Sequence, residues 1–366
     1  MNRALIVGAL LVAGCGATSD RSHANICRTL TAPPRAAAPQ LRNVVVVTID
    51  GVRRQEIFNG VDRALAAEGD RRDGRALLPN LYRLIDRGVA LGAPGRGAPM
   101  LASGPNFVSL PGYREILTGR RAADCTDNDC GPMEEPTLLE EFRWARELPP
   151  SEVAAISSWE TIERATSFDP RAITISAGRH GGVTRDGLRV SPAAAARLDE
   201  VAQSRAWPGH SDYRPDALSA SLALTYLETK RPRFLYVSLG DTDEYAHRGD
   251  YAGYLRALSA FDNFLGQLMA RVDASDTSSA DTLFVVTSDH GRSPNFSDHG
   301  SDPTASPVWL VAAGGPIPAR GLTPAARPRR LADIAPTVRA LLGIPADDSP
   351  RAGAPIPELL AEAPGA

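Results

Sequence analysis

The chain has 366 residues, a hydrophobic fraction of 43% and a formal net charge of -3 at pH 7. This length allows two domains or one large α/β domain with insertions, and the hydrophobic fraction excludes global disorder. The net charge argues against a nucleic-acid-binding surface. No apolar run long enough to span a bilayer lies beyond the N-terminus, so a polytopic membrane protein is excluded.

The first residues have the pattern of an export signal. Arg3 precedes an apolar segment, residues 4–13, that is too short to cross a bilayer and ends in small residues. Residues 11–15 (LVAGC) resemble a bacterial lipobox, in which the cysteine becomes the first residue and carries lipid. An ordinary secretory peptide with an incidental cysteine is the alternative. Gly16, rather than Asp, follows the cysteine, which in Gram-negative lipoproteins favours the outer membrane, facing the periplasm or the surface.

These features divide the chain into segments. We expect a signal peptide over residues 1–14, and a lipidated Cys15 with a flexible, Pro/Ala-rich tether over residues 15–40. Residues 41–346 form the predicted main domain, and residues 347–366 a peripheral C-terminal tail. The lipid on Cys15 would bring the protein to a membrane.

Four cysteines are present: Cys15, Cys27, Cys125 and Cys130. In an oxidising compartment a close pair favours a disulfide, and Cys125 and Cys130 enclose only four residues. A zinc site there is less favoured because no second pair of Cys or His lies nearby. Cys27 has no partner once Cys15 is lipidated.

From residue 41 onward, short apolar runs alternate with helical patterns. The predicted strands are residues 43–49, 153–157, 172–176, 234–239, 283–287 and 308–312. The predicted helices are residues 78–87, 137–146, 217–229, 251–271 and 333–343. This alternation predicts an α/β fold, a three-layer sandwich with a mostly parallel central sheet.

Acidic residues follow three of the predicted strands. They are Asp50, the pair Asp241 and Asp243, and Asp289. In parallel α/β sheets the site lies at the carboxyl ends of the strands, so three distant segments can deliver carboxylates to one crevice. Each of these residues alone could be a helix N-cap.

Three of the six histidines of the chain accompany these acids, namely His247, His290 and His299. His247 lies one helical turn after Asp243, and His290 directly follows Asp289. Carboxylates and imidazoles together suit a borderline metal such as zinc, and the combination predicts a metal site.

Ser109 precedes a Pro-Gly turn and a helical stretch. A hydroxyl at a helix N-terminus faces free backbone N–H groups and the positive end of the helix dipole, which favours an anion. Simple N-capping is the alternative role.

The order of these segments resembles the alkaline phosphatase superfamily, particularly its phosphodiesterase/nucleotide pyrophosphatase-like branch. The matching segments are residues 48–51 (TIDG), 109–113 (SLPGY), 243–247 (DEYAH), 288–291 (SDHG) and 299–300 (HG), with residues 333–343 similar to the C-terminal signature. They span nearly all of residues 41–346.

The resemblance implies two divalent ions, Zn²⁺ in the first place with Mn²⁺ as the alternative. Their implied ligands are Asp50, Asp289, His290 and Ser109 for one ion, and Asp243, His247 and His299 for the other. Asp241 has no matching ligand position in the family.

The resemblance also implies a phosphate-ester substrate and a mechanism. Ser109 would be the nucleophile that forms a phosphoseryl intermediate, and Asn128 would bind a non-bridging phosphoryl oxygen. Paired ions would stabilise the attacking and leaving oxygens, and activity would fall at acidic pH because histidine ligands must be neutral. Insertions near residues 55–105 and 150–230 would shape the leaving-group pocket.

Other activities remain open. Sulfatases of the superfamily carry Arg four residues after the nucleophile, where this chain has Tyr113, which disfavours a sulfatase. Phosphodiesterase and phosphomonoesterase are close rivals, because no Arg can be assigned as a clamp for a monoester. A phosphotransferase and a non-catalytic binding lipoprotein that kept the fold are further alternatives.

Overall fold

The computed structural model describes residues 41–179, 207–209, 212–274 and 280–360. The chain divides into two units, Met1–Ala38 and Pro39–Ala366, and all described residues belong to the second. The predicted signal peptide, Cys15 and most of the tether therefore lie outside the described residues. None of the described helices combines the length and the apolar character needed to cross a membrane.

The described part of the chain contains eleven strands in two sheets. They are β1 (Asn43–Ile49), β2 (Gly88–Leu91), β3 (Met100–Leu101), β4 (Val153–Ser157), β5 (Thr174–Ala177), β6 (Phe234–Leu239), β7 (Thr282–Thr287), β8 (Pro307–Val308), β9 (Leu310–Ala313), β10 (Gly321–Leu322) and β11 (Arg329–Arg330). The main sheet has eight strands in the order β10-β2-β9-β7-β1-β6-β4-β5, and a small sheet has the order β11-β3-β8.

Ten α-helices are described, together with five short 3₁₀ helices. The α-helices are α1 (Arg54–Phe58), α2 (Gly74–Leu77), α3 (Pro79–Asp86), α4 (Ser109–Thr118), α5 (Leu138–Ala145), α6 (Glu163–Thr166), α7 (Asp216–Lys230), α8 (Asp241–His247), α9 (Tyr251–Asp273) and α10 (Ile334–Leu342). The 3₁₀ helices are Pro150–Glu152, Glu160–Ile162, Pro303–Ala305, Leu331–Asp333 and Pro357–Leu359.

The predicted fold class is confirmed. In the main sheet β7, β1, β6, β4 and β5 run parallel to one another, while β9 is antiparallel to both β7 and β2. Consecutive parallel strands need long crossovers, which the helices supply. The sheet is therefore mostly parallel, as expected from the alternation of apolar runs and helical patterns.

The two faces of the main sheet carry separate apolar cores. Val44 and Val46 of β1 pack into one core with α4, α5 and α10, whereas Val45 and Val47 pack into the other with α3, α7 and α9. Successive side chains of a strand point to opposite faces, so a continuous run of valines fills both layers at once. This arrangement gives the three-layer sandwich.

The C-terminal segment differs from the expected peripheral tail. Ile356 is fully buried and Leu359 is 3% exposed, and both belong to the core that includes α4 and α10. The backbone N–H of Gly353 donates to the carbonyl of Gly119. Residues 347–360 therefore pack on the domain, and their Pro/Ala-rich composition concealed two apolar anchors.

Candidate metal centre and active site

The acidic residues after three strands meet because those strands are neighbours. β7, β1 and β6 lie side by side and parallel, so their carboxyl ends share one edge of the sheet. Asp50 directly follows β1, Asp243 lies in the first turn of α8 after β6, and Asp289 follows β7. The predicted convergence of these carboxylates is present in the structure.

Asp50, Asp289 and His290 form the first group, and all three are fully buried. One donor atom from each lies within 4.8 Å of the others. His290 Nε2 is 3.3 Å from Asp50 Oδ1 and 3.5 Å from Asp289 Oδ2. His290 Nδ1 donates to the carbonyl of Gly291 at 2.8 Å, which directs Nε2 toward the carboxylates.

The electrostatics of this first group favour the binding of a cation. Asp289 Oδ2 is buried and has no hydrogen-bond partner among the described residues. Burial and the neighbouring Asp50 raise the pKa of Asp289 well above its ordinary value. Burial alone lowers the pKa of His290, but the facing carboxylates of Asp289 and Asp50 raise that pKa to about 10. Buried carboxylates crowded in this way need a cationic partner.

Asp243, His247 and His299 form the second group. His247 Nε2 lies 2.9 Å from Asp243 Oδ2, because a spacing of four residues puts both on one face of α8. His299 Nε2 lies 3.1 Å from His247 Nε2 and 3.9 Å from Asp243 Oδ1. His299 Nδ1 donates to the carbonyl of Phe107, so Nε2 is left to face the group.

Arg292 makes a contact with the second group that the sequence did not predict. Its guanidinium lies against Asp243 Oδ1, and although burial raises the pKa of Asp243, this charge and His247 hold the pKa well below its ordinary value. Burial and the nearby His290 lower the pKa of His299 to about 3, which keeps that imidazole neutral. A neutral imidazole is the form that binds a metal.

Ser109 is the first residue of α4 and is 3% exposed. Its Oγ lies 3.4 Å from both Asp50 Oδ1 and His290 Nε2. The helix approaches the end of β7 closely at Gly112, where a Cβ would come within 2.4 Å of the carbonyl oxygen of Asp289. A glycine is therefore required for Ser109 to reach the first group.

Asn128 lies beside Ser109, although 19 residues separate them in sequence. Its Oδ1 accepts the backbone N–H of Leu110 at 2.9 Å, in the first turn of α4. Cys125 and Cys130 are joined by a disulfide that closes the loop carrying Asn128. The bridge was the favoured expectation for these two cysteines, and it is present.

A cavity of about 490 Å³ opens in front of Ser109. Its described lining residues are Ser109, Asn128, Trp159, Asp212, Tyr213, Asp243, Glu244, His247 and His299. Burial and the neighbouring Asp243 raise the pKa of Glu244 to about 9. A cavity of this size admits a small organic ligand.

The two regions expected to shape the pocket contribute unequally. Trp159, Asp212 and Tyr213 come from the region 150–230. No residue of the region 55–105 lines this cavity; that region instead supplies β2 and three helices to the central fold. The mixed charges in the sequence of this region did not indicate that it contributes to the central fold.

Sequence reasoning missed two residues that contact the candidate ligands. Arg292 follows His290 by two positions, but arginines are so frequent in this chain that proximity carried no information. Tyr113 was noted only because it is not Arg, yet its hydroxyl donates to Asp50 Oδ2 at 2.8 Å. A residue four positions after Ser109 on a helix shares its face, which was the available signal.

The donor set fits divalent metal ions. Each group offers carboxylate oxygens and imidazole nitrogens, the donors that zinc and manganese accept, and Asp289 Oδ2 is a buried oxygen in need of a cation. Ser109 adds a hydroxyl at the first group. The structure thus brings together all eight side chains predicted for the site, Asn128 included.

Comparisons with known proteins agree with this geometry. Residues 212–346 match the family model of the Metalloenzyme superfamily. Phosphopentomutase of Symbiobacterium thermophilum is 37% identical over 120 residues, which cover 32% of this chain and 28% of that protein. Phosphopentomutase of Methylobacterium radiotolerans is 35% identical over 132 residues, covering 36% and 30%. The chain spans less than a third of the length of these two relatives.

Solved structures share the fold. Wild-type alkaline phosphatase PafA superposes with a TM-score of 0.63 at 13% identity, covering 89% of this chain and all of that one. A 2-O GAG sulfatase gives 0.59 at 13% identity, covering 87% and 74%. The phosphonate monoester hydrolase of Silicibacter pomeroyi gives 0.57 at 17% identity, covering 88% and 77%.

The fold, the two candidate ligand groups and the sequence matches agree. The superfamily to which they point comprises metal-dependent transferases and hydrolases of phosphoryl and sulfuryl groups. The described fold is that of alkaline phosphatase-like structures, and residues 212–346 are similar to the Metalloenzyme superfamily.

Proposed function

We propose that this protein hydrolyses phosphate esters, with Ser109 as the nucleophile and two divalent ions held by the two ligand groups. The observation that carries the proposal is the position of Ser109. Its Oγ lies 3.4 Å from Asp50 and from His290 at the start of α4, and it lines the cavity. Bound ions would supply Lewis acidity, lowering the pKa of the hydroxyl and neutralising charge on the substrate.

The proposed reaction proceeds through Ser109 in two steps. Ser109 Oγ can donate its proton to Asp50 Oδ1, which directs a lone pair of the oxygen into the cavity. The serine oxygen then bonds to phosphorus as its proton passes to solvent, the ester bond to the alcohol breaks, and the alcohol leaves with a proton from solvent. Water subsequently cleaves the phosphoseryl ester, releasing the phosphoryl group and restoring the serine.

Asn128 orients the phosphoryl group in this scheme. Because its Oδ1 is held by the N–H of Leu110, its amide nitrogen is left to donate to a non-bridging oxygen of the substrate. Such fixed donors stabilise charge that develops during the reaction. The disulfide between Cys125 and Cys130 restricts the loop that carries this amide.

The charge of the cavity favours diesters over monoesters. No Lys or Arg is present among its described lining residues, whereas the acidic side chain of Asp212 is. A phosphate monoester carries a second negative charge that has no cationic side chain to receive it there. A diester carries a single charge, so we propose phosphodiesterase activity as the main activity.

A phosphotransferase is the second candidate. The observation that favours it is the similarity of about a third of the chain to phosphopentomutases. A sulfatase is disfavoured because Tyr113 stands where those enzymes have Arg, and its hydroxyl is engaged with Asp50.

The test compares chromogenic esters of 4-nitrophenol with the purified chain lacking residues 1–15, loaded with Zn²⁺ or with Mn²⁺. We expect the diester to be turned over with a higher kcat/KM than the monoester, and the sulfate ester to be inert. Ser109→Ala should lower diester turnover at least about a hundredfold, by loss of the nucleophile. Ser259→Ala, which removes a hydroxyl from α9 outside the cavity, is the matched control.

Two results would contradict the proposal. Unchanged turnover in Ser109→Ala would exclude this serine as the nucleophile. Transfer of phosphoryl to an added alcohol in large excess over transfer to water would favour the phosphotransferase.

A further inference from the structure

Three residues that line the cavity are not used by the proposed reaction. They are Trp159, Asp212 and Tyr213, and none of them belongs to either ligand group. Backbone hydrogen bonds join the two segments that carry them: Glu160 N–H donates to the carbonyl of Asp212 at 3.2 Å, and Arg214 N–H to that of Ser158 at 2.9 Å. These three side chains therefore stand on a wall that is fixed by backbone pairing.

The wall combines aromatic rings with a carboxylate. The rings of Trp159 and Tyr213 stack, with centroids 6.0 Å apart and an interplanar angle of 22°. The indole Nε1–H of Trp159 donates to Asp212 Oδ2 at 2.9 Å, which holds the carboxylate beside the rings. Aromatic faces and a carboxylate are the two groups that attract an organic cation.

The charges of the described lining residues also favour a cationic ligand. Two divalent ions would offset the three carboxylates of the ligand groups, but Asp212 belongs to neither group. A second anionic group on the substrate would meet this carboxylate and no Lys or Arg of the described lining. Trp159 is 6% exposed and Tyr213 is 5% exposed, so each ring presents only a small part of its surface to the cavity.

We propose that this wall binds an alkylammonium group, so that the preferred substrates are phosphate esters whose organic group carries one. This inference rests on the proposed phosphate-ester hydrolysis and specifies its substrate class. The ammonium would sit against the rings of Trp159 and Tyr213 and beside the carboxylate of Asp212. The phosphoryl group would lie in the same cavity, at Ser109 and Asn128.

The test uses two substrates that differ only in charge. One is 4-nitrophenyl phosphocholine, and the other is 4-nitrophenyl 3,3-dimethylbutyl phosphate, in which a carbon replaces the quaternary nitrogen. We expect kcat/KM to be about tenfold or more higher for the ammonium ester, in line with a cation held by rings and a carboxylate. Equal values for the two esters, or a preference for the neutral one, would overturn the inference.

Asp212→Asn tests the wall directly, because asparagine can still accept the indole hydrogen bond. We expect the ratio between the two esters to fall at least about threefold in this variant. Asp169→Asn removes an exposed carboxylate outside the cavity and should leave the ratio unchanged. A ratio that survives in Asp212→Asn would contradict the role given to this carboxylate.

Binding provides a readout that does not depend on turnover. Calorimetric titration of metal-loaded Ser109→Ala with phosphocholine and with 3,3-dimethylbutyl phosphate should show tighter binding of phosphocholine. If bis(4-nitrophenyl) phosphate is hydrolysed but neither readout distinguishes the charged from the neutral ester, only the substrate class is wrong. If neither 4-nitrophenyl phosphate nor its diester is hydrolysed by the wild-type protein, the proposed function itself fails.

Discussion

Tyr113 holds one of the candidate ligands in place. Its hydroxyl donates to Asp50 Oδ2 at 2.8 Å, and the opposite oxygen, Oδ1, faces His290 and Ser109. The side chain is 1% exposed, and burial together with the nearby Asp289 and Asp50 raises the pKa of its hydroxyl well above 10. Tyr113 therefore remains a hydrogen-bond donor throughout the physiological pH range.

We expect Tyr113→Phe to weaken metal binding. Groups that orient metal ligands typically contribute ten- to a hundredfold to metal affinity, so a loss of about tenfold is expected. The unfolding free energy should also fall by about 1–2 kcal/mol, because a buried carboxylate oxygen loses its donor. Metal affinity is measured by competition with a chromogenic chelator, and stability by urea denaturation.

Tyr236→Phe is the matched control for this prediction. Its hydroxyl is also buried and hydrogen-bonded, at 2.9 Å to Thr48 Oγ1, but it makes no hydrogen bond to a candidate ligand. It should lose a similar amount of stability and retain its metal affinity. Equal losses of metal affinity in the two variants would show that Tyr113 acts only through packing.

The ligand residues could be predicted from sequence, but the residues that hold them could not. Asp50 directly follows one largely β-branched run, Asp289 follows another after a single serine, and strand ends of a parallel sheet converge. The hydrogen bond from Tyr113 to Asp50 joins residues 63 positions apart. It depends on where α4 packs against the sheet, which local periodicity does not specify.

At the scale of elements, the loop after β7 carries His299 and is organised by Arg292. The Arg292 guanidinium donates to the carbonyls of Phe296 and Ser297 and contacts Asp243. It is 4% exposed and so ties this loop to α8 in a buried setting. One side chain thereby positions two ligands of the second group, His299 and Asp243.

Arg292→Met should damage both the loop and the second metal site. Breaking a buried ion pair by removing one partner typically costs about 3 kcal/mol or more, since the other charge is left buried. We expect a loss of stability of that order and about one metal ion fewer per chain, measured by urea denaturation and by emission spectroscopy. Methionine keeps most of the volume of the side chain, which limits cavity effects.

Arg329→Met is the control for a buried arginine pair away from the site. Arg329 contacts Glu358 in an ion pair whose side chains are 5% and 11% exposed. This variant should lose comparable stability while keeping both metal ions. A full metal complement in Arg292→Met would contradict the role of Arg292 in the second group.

The strands predicted from the sequence agree with the structure more closely at the centre of the main sheet than at its periphery. The predicted strands 43–49, 153–157 and 234–239 agree with β1, β4 and β6, because each is an uninterrupted apolar run. Strands β2, β3, β10 and β11 were not predicted. They have two to four residues each, and their pairing depends on distant partners rather than on their own composition.

At the scale of the whole molecule, buried polar groups link stability to pH. Glu115 is 3% exposed in α4 and accepts hydrogen bonds from the N–H and the hydroxyl of Ser103. Burial outweighs these bonds and raises its pKa to about 7 from an ordinary value of 4.5. The folded state therefore holds a proton on this carboxyl at pH values where the unfolded chain has released it.

The difference in the pKa of Glu115 between the folded and unfolded states determines whether the unfolding free energy rises or falls with pH. Between about pH 4.5 and pH 7 the folded state binds more protons than the unfolded state, so the unfolding free energy falls as the pH rises through this window. One pKa unit corresponds to about 1.4 kcal/mol, so the full loss is about 3 kcal/mol. Below pH 4.5 the carboxyl is protonated in both states and contributes no slope.

Glu115→Gln should remove this contribution, because glutamine keeps the shape and the hydrogen-bonding capacity without the ionisation. The difference in unfolding free energy between the variant and the wild type should therefore grow in favour of the variant by about 3 kcal/mol from pH 4.5 to pH 8. Urea denaturation at several pH values measures it, with the exposed Glu134→Gln as the control. A difference that stays constant with pH would mean that Glu115 ionises in the folded protein as it does in the unfolded chain.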